Sequence, residues 1–474
     1  MPEGARLEPG GQRDPASYRD PAGFVFRREG VVYRQVDPSF AEDWDTLAAS
    51  GLGAGLVEAG VLVPHEEVDV ALAAEPPAHR VIRPEPLDFV SYPYEWSFSQ
   101  LKDAALLTLR AQTMASEVGM SLRDASAYNV QLQHGRPLLI DSLSFERATP
   151  GAPWIAYRQF CEHFLAPLAL MAHVDIRLGT LLRDHLEGVP LDLAARLLPQ
   201  RTRLSFGLGP HVHLHARAQR RHAADAARCA TATPAAGAGR GLSPSRQRAL
   251  IESLRNTIEG LRWRPAGTEW ADYAENTSYD DAATRAKEAA VSASLARIGG
   301  ERAWDLGANT GRYSRIAADL GYAVIAFDAD PAAVERAYLA LRATGDVRIL
   351  PLLGDLADPS PALGWANAER RSLIERAHAD VTMALALVHH LAIGRNVRLP
   401  MIAELLARLA PHAIVEFVPR EDAMVARLLA SRQDVFSDYH EDGFRAAFDP
   451  RFEVASVTPI EGSLRSVYHF RRRD

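Results

Sequence analysis

The stretch RAWDLGANTGRYS, residues 302–314, sets Asp305, Gly307 and Gly311 behind a short apolar run. A strand that ends in an acid and passes through a glycine turn into a helix is suited to hold a nucleotide-like cofactor. Glycine lets the backbone turn sharply and come close to a ligand, and a carboxylate offers two acceptor oxygens. Asn309 stands where a dinucleotide fingerprint needs glycine, and Gly311-Arg312-Tyr313 is not the Gly-Lys-Ser/Thr of a Walker loop. The turn therefore lacks both phosphate-cradling patterns. Three further positions end apolar runs in the same way: Asp328 in YAVIAFD, Asp355 in LLGDL, and His389-His390 in LALVHHLA.

Each of these has a plainer reading. Asp328 suits a helix cap, although Asp330, directly before Pro331, is better placed for that task. Asp355 also reads as a loop acid. One of the paired histidines should face the ligand side, as a general base or as a polar wall of the pocket.

These residues need strands to carry them. RAWDLG, YAVIAFD, VRILPLLGD, DVTMALAL and HAIVEFV are apolar runs of strand length, and FEVASVTPI and LRSVYHFRR close the chain as a hairpin. GRYSRIAADLG, PAAVERAYLALRATG, AERRSLIERAH and LPMIAELLARLA read as helices between them. Strands alternating with helices imply an α/β fold, a Rossmann-like parallel sheet of seven strands with an antiparallel pair at one edge.

The first 200 residues read as a separate α+β domain. AGFVFRREGVVYRQV (22–36) is a hairpin around Glu29-Gly30, and SYPYEWSFSQLKDAALLTLRAQTMASEVGM leads into a helix. Within residues 121–146, Asp124 stands five before Asn129, and RPLLID ends in Asp141. Between Arg217 and Arg246 the composition turns to Ala, Arg and Gly, which predicts a helical or flexible linker spanning about 201–265. HVHLHA sets His211, His213 and His215 on one face of a possible strand, with no Cys, Asp or Glu nearby to complete a metal site.

Composition bounds the function. The chain has 474 residues, 47% apolar and 24% charged, with a net charge of −7, and so belongs with soluble globular proteins of more than one domain. The negative balance argues against nucleic acid as partner. Two cysteines, Cys161 and Cys229, fit a reducing cytoplasm. Residues 1–15 have no apolar stretch, so no secretory signal is expected. FLAPLALMAHVDIRLGTLL carries Pro167, His173, Asp175 and Arg177 and reads as a buried helix rather than a membrane span.

Residues 266–474 resemble the class I S-adenosylmethionine-dependent methyltransferases, whose first motif is acid-x-Gly-x-x-x-Gly. The resemblance implies S-adenosylmethionine as cofactor and a methyl transfer that rests on alignment more than on a catalytic triad. It implies that Asp305, Gly307, Ala308, Asn309 and Gly311 surround the amino-acid end of the cofactor. Asp328 and Ala329 would then lie at the ribose, and Asp355 and Leu356 at the adenine. WADYAENTSYDDAATRAK (270–287) resembles the helical lid of that family, with Tyr273 and Tyr279 as its aromatic residues.

Asp124, Asn129 and Asp141 resemble the catalytic loop and metal aspartate of protein-kinase-like phosphotransferases, the aminoglycoside kinases among them. That resemblance implies Mg²⁺ at Asn129 and Asp141 and an alternative activity as a phosphotransferase. It departs from the pattern in having no glycine-rich loop and Arg34 in the place of a lysine. A third alternative is a binding protein on a methyltransferase scaffold. The two-part arrangement as a whole resembles the nodulation-type methyltransferases.

Overall fold

The computed structural model describes residues 11–218, 243–265, 281–430 and 433–474. It is a mixed α/β protein of two compact units. The first contains residues 1–263 and 363–370, the second residues 264–362 and 371–474.

In the first unit an antiparallel sheet has the order β1-β2-β3-β5-β4, with β1 Gln12–Arg13, β2 Gly23–Arg28, β3 Val31–Val36, β4 His65–Val68 and β5 Arg80–Pro84. The hairpin β2–β3 turns through Glu29 and Gly30, both left-handed at φ 53° and 80°. Two left-handed residues match the twist of the strands they join. The helix Phe98–Glu117 starts at a capping box formed by Ser97 and Gln100. Two short antiparallel pairs follow: β6 Met120–Leu122 with β9 Phe145–Arg147, and β7 Val130–Gln133 with β8 Arg136–Leu139.

The split between the units falls between Trp263 and Arg264. Pro244–Gly260, expected in the linker, is a helix of the first unit that buries Ile251, Leu254 and Ile258. That apolar stripe at helical spacing outweighs the composition of the segment before it. Lys102 Nζ donates to the carbonyls of Glu259 and Leu261 at 2.9 Å each. The histidine stretch is helical over Gly209–Leu214, not a strand. Spacing of four brings His211 and His215 to one ring: Tyr157 Oη lies 2.8 Å from His211 Nδ1, and His215 stacks on the Tyr157 ring. His213 instead meets Thr202 Oγ1 at 2.8 Å.

The second unit is built on one seven-stranded sheet. Its strands are β10 Arg302–Leu306, β11 Ala323–Asp328, β12 Ile349–Leu353, β13 Val381–Ala384, β14 His412–Phe417, β15 Phe452–Pro459 and β16 Ser466–Arg472. The order is β12-β11-β10-β13-β14-β16-β15, parallel from β12 to β14, with β16 antiparallel to both β14 and β15. Chain order runs outward from β10 on one side and then restarts on the other. The reversal creates the crevice at the carboxyl ends of β10 and β13 where ligands bind in such sheets.

One expected helix is absent. AERRSLIERAH forms a bridge and turns, and its first residues lie in the first unit. Glu369 is buried there, where it accepts from Arg19 Nη2 at 3.2 Å and from the Trp365 amide at 3.1 Å. Holding that carboxylate overrides a local helical pattern.

Phe444 anchors the packing around β16. Its ring centroid lies 4.5 Å from Phe448, 4.9 Å from Phe417 and 5.2 Å from Tyr468, and it is fully buried. Phe444→Ala is expected to destabilise the second unit by about 3–5 kcal/mol, read as a lower urea midpoint; a midpoint equal to that of the wild type would contradict this packing role.

Candidate functional site

The site begins where β10 ends. Gly307, Asn309 and Gly311 all take left-handed conformations, at φ 76°, 51° and 81°. Glycine accepts this at no steric cost, and asparagine is among the few other residues that do. The turn hangs from the neighbouring strand, because the amides of Gly307 and Ala308 both donate to the Phe327 carbonyl at 2.9 Å. The Asn309 amide donates to Asp328 Oδ2 at 2.7 Å, and the Asp330 amide to Asp328 Oδ1 at 2.8 Å. Asp330 caps the helix Pro331–Thr344 through the Ala332 amide at 2.8 Å. Asp328 thus sits half-buried beside the turn, its carboxylate accepting backbone hydrogen bonds from Asn309 and Asp330 and a further one from Ala329. Ala329, next to it, is exposed.

Asp305 lies deeper, 2% exposed, and accepts from Ser314 Oγ at 2.6 Å. Burial pushes the carboxyls of Asp305 and Asp328 up to about 6 each. Asp355 follows β12, caps its own turn through the Ala357 amide and pairs with Arg395 Nη2 at 3.0 Å; Leu356 beside it is half-buried. Tyr273 and Tyr279 lie outside the described residues.

His389 and His390 follow β13, with ring centroids 4.1 Å apart. His389 is fully buried, and among the described residues neither of its ring nitrogens has a hydrogen-bond partner. Burial, then His390, Arg465 and Lys287, hold it neutral well below the ordinary histidine range. Burial and Arg465 push His390 down to about 4.

Sequence reasoning missed the charges around this pair. Lys287 Nζ lies 2.6 Å from Glu416 Oε2 and 4.5 Å from the centre of the Tyr313 ring. Arg465 Nη1 reaches Glu416 Oε1 at 3.3 Å, and its Nε and Nη2 clasp Asp422 at 2.7 and 3.0 Å. All four are buried. Two signals were available. Lys287 shares a helix face with Ala283, Ala290, Val291 and Ser294, and Glu416 interrupts the apolar strand HAIVEF.

The phosphotransferase candidates lie in the first unit. Asp124 accepts from the Ser126 amide and from Gln159 Nε2, at 2.9 and 2.8 Å. Asn129 Nδ2 donates to Ser144 Oγ at 3.2 Å. Asp141 accepts from the Leu143 amide and the Ser144 hydroxyl, both at 2.8 Å.

The fold and this turn together define a protein of the mixed α/β class, with a glycine turn and two acids at the ends of neighbouring parallel strands. The nodulation protein NoeA of Rhizobium meliloti (strain 1021) is 36% identical to this chain over 462 residues, covering 95% of the chain and 94% of that protein. The chain belongs to the NoeA family of nodulation proteins. No family model matches it. Among solved structures, the bifunctional kinase-methyltransferase WbdD overlaps at a TM-score of 0.30 and 14% identity, covering 45% of either chain. Magnesium protoporphyrin IX methyltransferase from Synechocystis PCC 6803, with bound SAM, overlaps at 0.30 and 17%, covering 44% of this chain and 86% of that one. The chain spans less than half the length of the WbdD chains. Among the described residues no helix is long and apolar enough to cross a membrane.

The Asp305 carboxyl makes a test of the site's electrostatics. A folded value of about 6 against an ordinary 3.8 means that folding opposes its ionisation. The penalty is absent below both values, grows as pH rises between them and is complete above about pH 6. The stability of the wild type relative to Asp305→Asn, from urea titrations, should therefore fall between about pH 4 and 6 and then level. A difference that is constant across that window would contradict the burial argument.

Proposed function

We propose that this chain transfers a methyl group from S-adenosylmethionine to a small-molecule or carbohydrate-type acceptor, acting in the cytoplasm through a Rossmann-like methyltransferase sheet in its second unit. The observation that carries this reading is the 307–311 turn, with its amide on Asp328 and without either phosphate-cradling pattern. Such a turn suits a ligand with hydroxyls, an amine and a carboxylate rather than a pyrophosphate. The name of the related nodulation protein supports a nodulation-related acceptor.

The residues fit that cofactor. Asp328, at the end of β11, offers a carboxylate whose two oxygens suit the two sugar hydroxyls. A side chain at Gly307 would come within 3.3 Å of Leu387 Cδ1, so glycine keeps this face of the turn open. Asp305, Ala308, Asn309 and Gly311 are proposed to line the amino-acid end, with Ala329 beside the sugar and Asp355 and Leu356 at the adenine. When bound, the cofactor supplies a methyl group already activated on a sulfonium sulfur. The chain then has to hold the accepting atom in line and exclude water, which is worth about 7–11 kcal/mol when done well.

His389 and His390 are the proposed acceptor-facing groups. Both are neutral at physiological pH, and a neutral imidazole carries one nitrogen of acceptor character. Arg465 and Lys287 oppose an imidazolium at His389, so orienting the acceptor is the role its surroundings favour.

Calorimetric titration with S-adenosylmethionine and S-adenosylhomocysteine tests the reading. The wild type is expected to bind both, and Asp328→Ala to bind about 100-fold more weakly, close to 3 kcal/mol for two lost charge-assisted hydrogen bonds. Folded wild type that binds neither ligand would sink the proposal.

A further inference from the structure

The first unit holds a second cluster of buried charge. Arg34, on β3, places Nη2 2.8 Å from Asp141 Oδ1 and 3.3 Å from Asp20 Oδ2. Asp20 Oδ1 receives Arg123 Nη2 at 2.8 Å. Arg34 is 8% exposed and Asp141 9%. The resemblance of this region to protein-kinase-like phosphotransferases implies a divalent metal between Asn129 and Asp141, and the cluster can be tested for its fit to one.

It does not fit. Mg²⁺ takes oxygen ligands in a near-ideal octahedron at about 2.0–2.1 Å. Asp141 Oδ1 already receives both the Leu143 amide and Arg34, and Oδ2 receives the Ser144 hydroxyl. The Asn129 side chain donates to Ser144 Oγ and also hydrogen-bonds Asp124. Among the described residues no set of three or more His, Cys, Asp and Glu side chains is arranged to hold a metal ion. A divalent ion would have to displace a guanidinium that is always charged and is already in contact.

We propose that the Arg34 guanidinium is the resident cation of this cluster, standing where a phosphotransferase would bind its metal, and that the first unit therefore moves no phosphoryl group through Asp124. The guanidinium joins strand β3 to the 141–144 turn, and through Asp20 to Arg123, so that the acids serve as its counter-charges. This inference does not depend on the methyl-transfer reading.

The test uses the full-length protein, titrated with MgCl₂ and with ATP plus MgCl₂ by calorimetry and by thermal unfolding. The wild type is expected to give no binding heat and no change in Tm with either. Arg34→Ala leaves Asp20 and Asp141 without their cation, so it should melt lower and regain Tm on addition of Mg²⁺ or Mn²⁺. That recovery should be lost in the double variant Arg34→Ala/Asp141→Ala. If Arg34→Ala does not fold, Arg34→Gln, which keeps a polar side chain but carries no charge, should show the same divalent-dependent rise. Mg²⁺-dependent ATP binding by the wild type that Asp141→Ala removes would overturn the proposal. So would an Arg34 variant whose Tm is indifferent to divalent ions.

Discussion

The hydrogen bond from the Asn309 amide to Asp328 is the contact on which the second unit's site depends. It can form only if the chain leaving β10 turns back over the end of β11, which requires left-handed backbone at Gly307, Asn309 and Gly311. The parallel pairing of β10 with β11 brings the two strand ends level, with Leu306 opposite Phe327. Pairing, turn and acid are thus one device: sheet register fixes where Asp328 lies, and Asp328 fixes the shape of the turn. The proposed methyl-donor site uses the surface this device leaves exposed.

Around that surface the protein buries more charge than an ordinary core does. Lys287, Glu416, Arg465 and Asp422 balance one another in contact, which is the condition under which buried ions are tolerated. His389 is the exception, a buried ring with two unpartnered nitrogens. An unsatisfied buried polar group costs about 1–3 kcal/mol. It stands at the end of β13, beside the crevice, where the proposed acceptor would meet it. The first unit follows the opposite course. There the Arg34 guanidinium stands in contact with both Asp20 and Asp141, and Asp20 in turn with Arg123.

Much of the second unit was legible in the sequence because its strands are short apolar runs closed by Gly, Asp or Pro, and these signals are local. The turn residues and the acids at strand ends followed from the same punctuation. What stayed hidden depends on contacts distant in sequence. The helix expected in AERRSLIERAH gave way to the pairing of Glu369 with Arg19, some 350 residues away. The linker expected after residue 201 contained the Ile251-Leu254-Ile258 stripe, which acquires meaning only once there is a partner to bury it. The three histidines looked like a strand because alternation was weighed above the spacing of four that sets His211 and His215 against Tyr157. The Lys287–Glu416 pair joins a helix to a strand more than a hundred residues apart, and no local pattern announces such a pair.

The central claim is that the turn after β10 and the acid after β11 together hold the cofactor. A crystal structure of the chain grown with S-adenosylhomocysteine tests it most directly. The account predicts the ligand in the crevice at the carboxyl ends of β10 and β13, its sugar hydroxyls within hydrogen-bond distance of Asp328 and its amino-acid end over residues 307–311. A ligand bound elsewhere on the chain, or an Asp328 that makes no contact with it, would contradict the account.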